Sequence, residues 1–86
     1  MIVHIPSILR SYTKEKSEIA AEGQTLADLF SALDRRYPGI RFRIITEQDR
    51  IRPHIRVFVN EQQAWDLSVA LQPDDRIHII GALSGG

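Results

Sequence analysis

The sequence predicts an α+β domain in which one main helix crosses one face of a mixed sheet of four to five strands. Three observations carry this: a single strongly periodic helical segment, strand-like runs at both ends of the chain, and a cleanly alternating run between them. The order ββαβ(β)β is not an alternating series of strands and helices, which would read as a parallel α/β sheet. A ferredoxin-like fold would need a second helix of similar strength, and the only candidate, residues 40–49, is poorly capped and poorly periodic.

The first strand is Met1 to Ile5, stopped by Pro6, which has no backbone donor. Residues Ser7 to Lys14 turn the chain. Glu15 to Glu22 is a weaker strand, with Ile19 as its strongly apolar residue, and Gly23 ends it; its charges suit a sheet edge. The helix follows. Thr25 is its N-cap, Asp28 suits the positive end of the macrodipole, and Leu26, Leu29, Phe30, Leu33 and Tyr37 form one apolar stripe. Phe30 and Tyr37 therefore read as core residues. Arg35 and Arg36 favour the last turn, and Pro38-Gly39 stops the helix.

Ile40 to His54 reads as a long connection holding one extra turn of helix. Ile55 to Asn60 alternates, with Ile55, Val57 and Val59 on one side and Arg56, Phe58 and Asn60 on the other. Asn60-Glu61 opens a turn, Gln63 to Trp65 is a short edge strand, and Trp65 is expected to pin the following loop onto the sheet. Leu71-Gln72-Pro73-Asp74-Asp75 carries turn chemistry before the last strand, Arg76 to Ile80. With first and last strands as neighbours, this is the β-grasp arrangement found in ubiquitin. The chain reads as one such domain over 1–86, with 81–86 as a flexible tail ending in Gly-Gly.

Bulk properties narrow the function. At 86 residues the chain is one small domain. A domain of this size is stable by about 4 to 13 kcal/mol, which does not easily sustain a deep, strained catalytic cavity. The 11 basic and 11 acidic residues cancel, so no global field draws the chain to nucleic acid or membrane. There is no cysteine, which excludes disulfides and thiolate chemistry, and no apolar run long enough to span a bilayer or to serve as a leader. A cytoplasmic setting is expected. No Ser/His/Asp order, glycine-rich phosphate cradle or carboxylate pair stands out, so the chain is not expected to be an enzyme in its own right.

The most informative residues are the last. Leu83-Ser84-Gly85-Gly86 closes the sequence straight after a β-branched strand, and two residues without a Cβ can pass extended through a narrow channel, presenting the terminal carboxylate to a closed active site. Small residues at a frayed terminus, or a cloning scar, are the plain alternative.

Taken together, these motifs carry a resemblance. Thr25-Leu26-Ala27-Asp28-Leu29-Phe30, Tyr37-Pro38-Gly39, Ile55-Arg56-Val57-Phe58-Val59-Asn60, Leu71-Gln72-Pro73-Asp74-Asp75-Arg76-Ile77 and Gly85-Gly86 stand in the order and spacing of the ubiquitin-like sulfur carriers. That family contains the small subunit of molybdopterin synthase and the carriers of the thiamine and cysteine pathways. The long connection after Gly39 is more similar to the cysteine-pathway group. Gly81-Ala82-Leu83 departs from the proline many relatives have after the last strand.

The resemblance implies a cycle at Gly86. An E1-like adenylating enzyme would use Mg-ATP to activate the carboxylate, a sulfur donor would convert it to a thiocarboxylate, and a sulfur-accepting biosynthetic enzyme would receive the sulfur. No cofactor would be bound by the chain itself. The same first step serves a ubiquitin-like modifier joined through Gly86 to lysines, and a non-covalent β-grasp interaction module would use neither.

Alternation also places a partner-binding face. With Val3, Ile5, Ile55, Val57, Val59, Ile77 and Ile79 turned to the helix, the residues His4, Arg56, Phe58, His78 and Ile80 share the outer face, and Leu83 continues toward the tail. Phe58, His78 and Ile80 are expected to guide the activating enzyme. His4, His54 and His78 have no local metal-ligand spacing and read as surface or interface residues, so no metal is expected. The arginines at 35, 36, 41, 43, 50, 52 and 56 make the middle of the chain basic; with no aromatic interleaving recognised, they read as a solvated face or as the complement of an acidic enzyme groove rather than an RNA site.

Overall fold

The computed structural model describes residues 1–81. Within them, β1 (Ile2–His4), β2 (Glu18–Ala20), β3 (Ile55–Val59), β4 (Gln62–Ala64) and β5 (Arg76–Gly81) form one five-stranded sheet in the order β2-β1-β5-β3-β4. The helix α1 (Leu26–Arg36) lies across one face, and α2 (Ile40–Ile44) follows it. The central pair, β1 and β5, is parallel, and all other pairings are antiparallel. The expected β-grasp arrangement is what the chain adopts, first and last strands side by side.

Local chemistry starts α1 as the sequence implies. Thr25 Oγ1 accepts the backbone N–H of Asp28 at 3.3 Å, and the Asp28 carboxylate accepts that of Gln24 at 3.2 Å. Two donors at the helix start are thereby satisfied. Leu26, Leu29, Phe30 and Leu33 are buried, meeting Val3, Ile5, Ile55, Val57, Ile77 and Ile79 from the sheet. Burying each such side chain is worth about 1.5 to 3 kcal/mol, and this face supplies most of what holds the domain together. Tyr37 is in the same core; Val59, expected there too, is only partly buried at its margin.

Several elements differ from the expectation. Ser7–Thr13 is a 3₁₀ helix, not a simple turn, held by Thr13, whose buried hydroxyl donates to the carbonyl of Lys16 at 2.8 Å. Lys14 and Glu15 then take positive φ angles of 55° and 65°, so the second strand begins only at Glu18. The connection after Gly39 contains α2 and an antiparallel bridge between Ile45 and Ile51. Asp34 closes the corner between the helices, its Oδ1 accepting from the N–H groups of both Gly39 and Arg41 at 3.1 Å.

At the far end, the edge strand is Gln62–Ala64, one residue earlier than expected. Trp65 does not pin the loop: it is 77% exposed. Ala64 takes the inward position, so the pleat turns Trp65 out, and Leu67 fills the core instead. The loop is tied down by its backbone, with Ala27 N–H donating to Leu67 O and Leu26 N–H to Val69 O, both at 3.1 Å. The two turn motifs meet as one clamp. Asn60, at φ 57°, donates from Nδ2 to Asp75 Oδ1 at 2.9 Å and accepts the Arg76 N–H at 3.0 Å, while Asp75 Oδ2 accepts from Gln72 N–H at 2.8 Å.

Candidate functional site

The pairing registers place the outer-face residues in rows. His4 lies opposite Glu18 on β2 and His78 on β5; His78 lies opposite Phe58 on β3, and Phe58 opposite Gln63 on β4. A single line, Glu18, His4, His78, Phe58, Gln63, thus runs across the sheet, with Arg56 and Ile80 paired in the next row. Four of the expected face residues, His4, Phe58, His78 and Ile80, line a shallow depression of about 350 Å³ together with Pro6 and Asn60. Ile80 is 48% exposed, an apolar side chain facing water. Arg56 shares the face but its guanidinium is turned back, donating to Pro53 O at 2.6 Å and Ile55 O at 3.2 Å.

The His4 and His78 rings stack, centroids 4.3 Å apart and planes within 3° of parallel. Parallel stacked rings do not converge their nitrogens on a common ion, and among the described residues no three His, Cys, Asp or Glu side chains group to hold a metal. Burial, then the charge on His4, then Arg76, hold the His78 pKa below its ordinary 6.5. His4 Nδ1 sits 3.5 Å from Glu18 Oε2, while its Nε2 is buried with no hydrogen-bond partner among the described residues. The centre of the face is therefore an apolar, aromatic surface, the composition a transient protein interface needs.

β5 reaches Gly81, one residue into the segment expected as tail, because Gly81 still pairs with Ile55. Leu83, Gly85 and Gly86 lie outside the described residues. His54 lies apart from the other two histidines, beside Ile8, Phe42 and Arg52. Phe42 is a residue the sequence reading passed over: it is 53% exposed in the middle of the arginines, with the Arg52 guanidinium 4.5 Å from its ring centroid. Its signal was Arg41-Phe42-Arg43, an apolar ring between two cations on a helix too short to show periodicity.

The sequence model of the ThiS family matches residues 3–86. The chain belongs to the ThiS family. Among curated relatives, the sulfur carrier protein CysO of Mycobacterium tuberculosis is 29% identical over 89 residues, covering 98% of this chain and 96% of the relative. A crystal structure of a BexX/CysO complex from Amycolatopsis orientalis contains a chain similar at a TM-score of 0.90 and 28% identity, covering 99% of this chain and 98% of that one. The solution structure of small archaeal modifier protein 1 from Methanosarcina acetivorans shares the fold, with a TM-score of 0.81 at 22% identity over 99% of this chain and 94% of the other. These ThiS-family relatives named as carriers are small ubiquitin-like proteins, not catalysts. Among the described residues, no helix is long and apolar enough to cross a membrane.

Proposed function

We propose that this ThiS-family protein is a sulfur carrier whose Gly86 carboxylate is the working group. An E1-like enzyme presents Mg-ATP; a carboxylate oxygen attacks the α-phosphorus, pyrophosphate leaves, and an acyl adenylate forms. A sulfur nucleophile of the sulfide oxidation level then attacks the carbonyl carbon, AMP leaves, and Gly86 ends as a thiocarboxylate. That group is nucleophilic at neutral pH. It delivers its sulfur to an acceptor held by a biosynthetic enzyme, and hydrolysis returns the carboxylate. Likeness to CysO makes cysteine synthesis the pathway we favour over molybdopterin synthesis, and the setting we propose is cytoplasmic.

The observation that carries this reading is the family match, which runs through Gly85-Gly86. The outer sheet face supports it. Phe58, His78 and Ile80 offer an apolar centre on the same strand pair that leads to the C-terminus, so an enzyme gripping them holds the tail within reach.

Incubating the purified chain with its adenylating enzyme, ATP, magnesium and a sulfur source, followed by intact mass measurement, tests the proposal. The expected result is a mass gain equal to replacing one oxygen by one sulfur, lost when Gly85-Gly86 is deleted. Larger species linked through Gly86 to lysine would instead mark a modifier. A partner interaction that survives the deletion, with no mass change, would mark a non-covalent module.

A further inference from the structure

A second exposed apolar surface lies away from the outer sheet face. Ile8 on the 3₁₀ helix, Phe42 and Arg43 on α2, and Arg52 and His54 ahead of β3 surround a depression of about 320 Å³. Ile8 is 38% and Phe42 53% exposed, and both stand among cations. Arg52 is held in place twice: its Nε donates to the Phe42 carbonyl at 2.6 Å, and its guanidinium lies over the Phe42 ring. The Arg43 guanidinium sits 5.9 Å from the Tyr12 ring centroid. A guanidinium already held over an aromatic ring loses little further freedom when its remaining N–H groups grip a carboxylate.

Among the described residues, neither guanidinium at this depression is paired with a carboxylate. Among the described residues the ion pairs are Met1 N-terminus to Glu22, His4 to Glu18, and Arg41 to Asp49. Neither Arg43, Arg52 nor His54 takes part in one, although the chain as a whole has as many acidic as basic residues. The position is as informative as the charge. Gly81 of β5 lies against Ile8: a Cβ built on it would fall 2.1 Å from Ile8 Cδ1. This surface therefore borders Gly81, five residues before Gly86 in the sequence.

We propose that Ile8, Phe42, Arg43 and Arg52 form a second docking surface, whose partner is a carboxylate-bearing protein surface on the enzyme that activates Gly86. The inference rests on the carrier reading above and adds to it an electrostatic contact beside Gly81. The outer sheet face supplies apolar contact; this surface supplies orientation and a faster encounter, as charged rims do.

Adenylation, followed as carrier-dependent exchange of pyrophosphate into ATP by the adenylating enzyme, tests it. The variants are Arg43→Glu and Arg52→Gln, with Arg35→Glu as a control of matched charge change; Arg35 is exposed and borders a different groove, near Met1 and Leu71. Arg43 makes no side-chain hydrogen bond or ion pair among the described residues, so Arg43→Glu stays informative even where Arg52→Gln loosens α2. The expected result is that Arg43→Glu raises the carrier concentration for half-maximal exchange by about tenfold at low salt, with the gap closing as salt is raised, and that Arg35→Glu stays near the parent.

Equal values for Arg43→Glu and Arg35→Glu would overturn this surface while leaving the carrier reading intact. No exchange from the parent chain would overturn the carrier reading and this inference with it. Binding of a single-stranded RNA oligonucleotide that Arg43→Glu abolishes, with unchanged exchange, would assign the cations to nucleic acid and overturn the proposed partner.

Discussion

Gly81→Ala probes the junction between the sheet and the segment that follows it. The new Cβ would fall 2.1 Å from Cδ1 and 2.8 Å from Cγ1 of Ile8, closer than any real contact, so one group has to move. The backbone of β5 is held by pairing with Ile55, whereas Ile8 is 38% exposed and free to swing toward water. Forcing Ile8 off its preferred rotamer costs about 0.5 to 1.5 kcal/mol. Against this, Gly81 is not in the left-handed region, so alanine fits its backbone. Replacing glycine there stabilises by about 0.4 to 1 kcal/mol through the unfolded chain. The two effects nearly cancel, and Gly81→Ala alone is expected to change stability by about 0.5 kcal/mol or less.

The double-mutant cycle separates them. In an Ile8→Ala background the clash is gone and the chain-entropy gain remains, so Gly81→Ala becomes stabilising, with a coupling between the two sites of about 1 kcal/mol. Urea unfolding of the four proteins measures this directly. Additivity within about 0.3 kcal/mol would refute the packing of Ile8 on Gly81, and with it the placement of the basic surface beside Gly81.

Phe58→Ser is expected to cost about 1 to 2 kcal/mol of stability, since the ring is partly buried, and to raise the carrier concentration for half-maximal adenylation by about tenfold or more; unchanged adenylation would remove Phe58 from the docking face. His78 titrates below its ordinary 6.5 because of burial, His4 and Arg76. The unfolded chain therefore takes up the proton first on acidification, and stability is full above the unfolded pKa and falls as pH drops toward the folded one. The urea midpoint should decline as pH falls through the ordinary histidine value of about 6.5 and below it, well above the titration of Asp66 and Asp75, both held below 3.8 by their hydrogen bonds. His78→Gln should flatten that decline. Asn60→Ala should destabilise by about 1 to 2 kcal/mol, losing both the acceptor for Arg76 N–H and the residue type tolerated at φ 57°; Asn60→Gly, which accepts that φ, should lose less, and equal losses would show that the backbone cost is absent.

Much of the architecture was legible residue by residue. The helix could be read because its cap, its stripe and its stop are local signals that agree, and the outer-face residues because a strand's period of two leaves no freedom once the inward face is known. The less regular segments were not legible. Ser7–Thr13 is held as a helix by Arg10, which donates to the Ile5 carbonyl, and by Thr13, which donates to that of Lys16; these are side-chain bonds to the backbone that leave no periodic signal in the sequence. Trp65 looked like an anchor by composition, but a tryptophan is buried only if the pleat points it inward, and Ala64 holds that position.

For the site, the division is similar. The sequence by itself determined that the chain is a small β-grasp domain ending in Gly85-Gly86, and that His4, Phe58, His78 and Ile80 share a face, because capping, alternation and turn chemistry act over a few residues. Only the tertiary structure decided that His4 stacks on His78, that Arg56 turns away, and that Ile8, Phe42, Arg43 and Arg52 meet beside Gly81. Apart from the bonds of Arg56, which reach back only to Pro53 and Ile55, those contacts join segments far apart in the chain, and their geometry is set by the register of strand pairing and the packing of the core, which no single segment encodes.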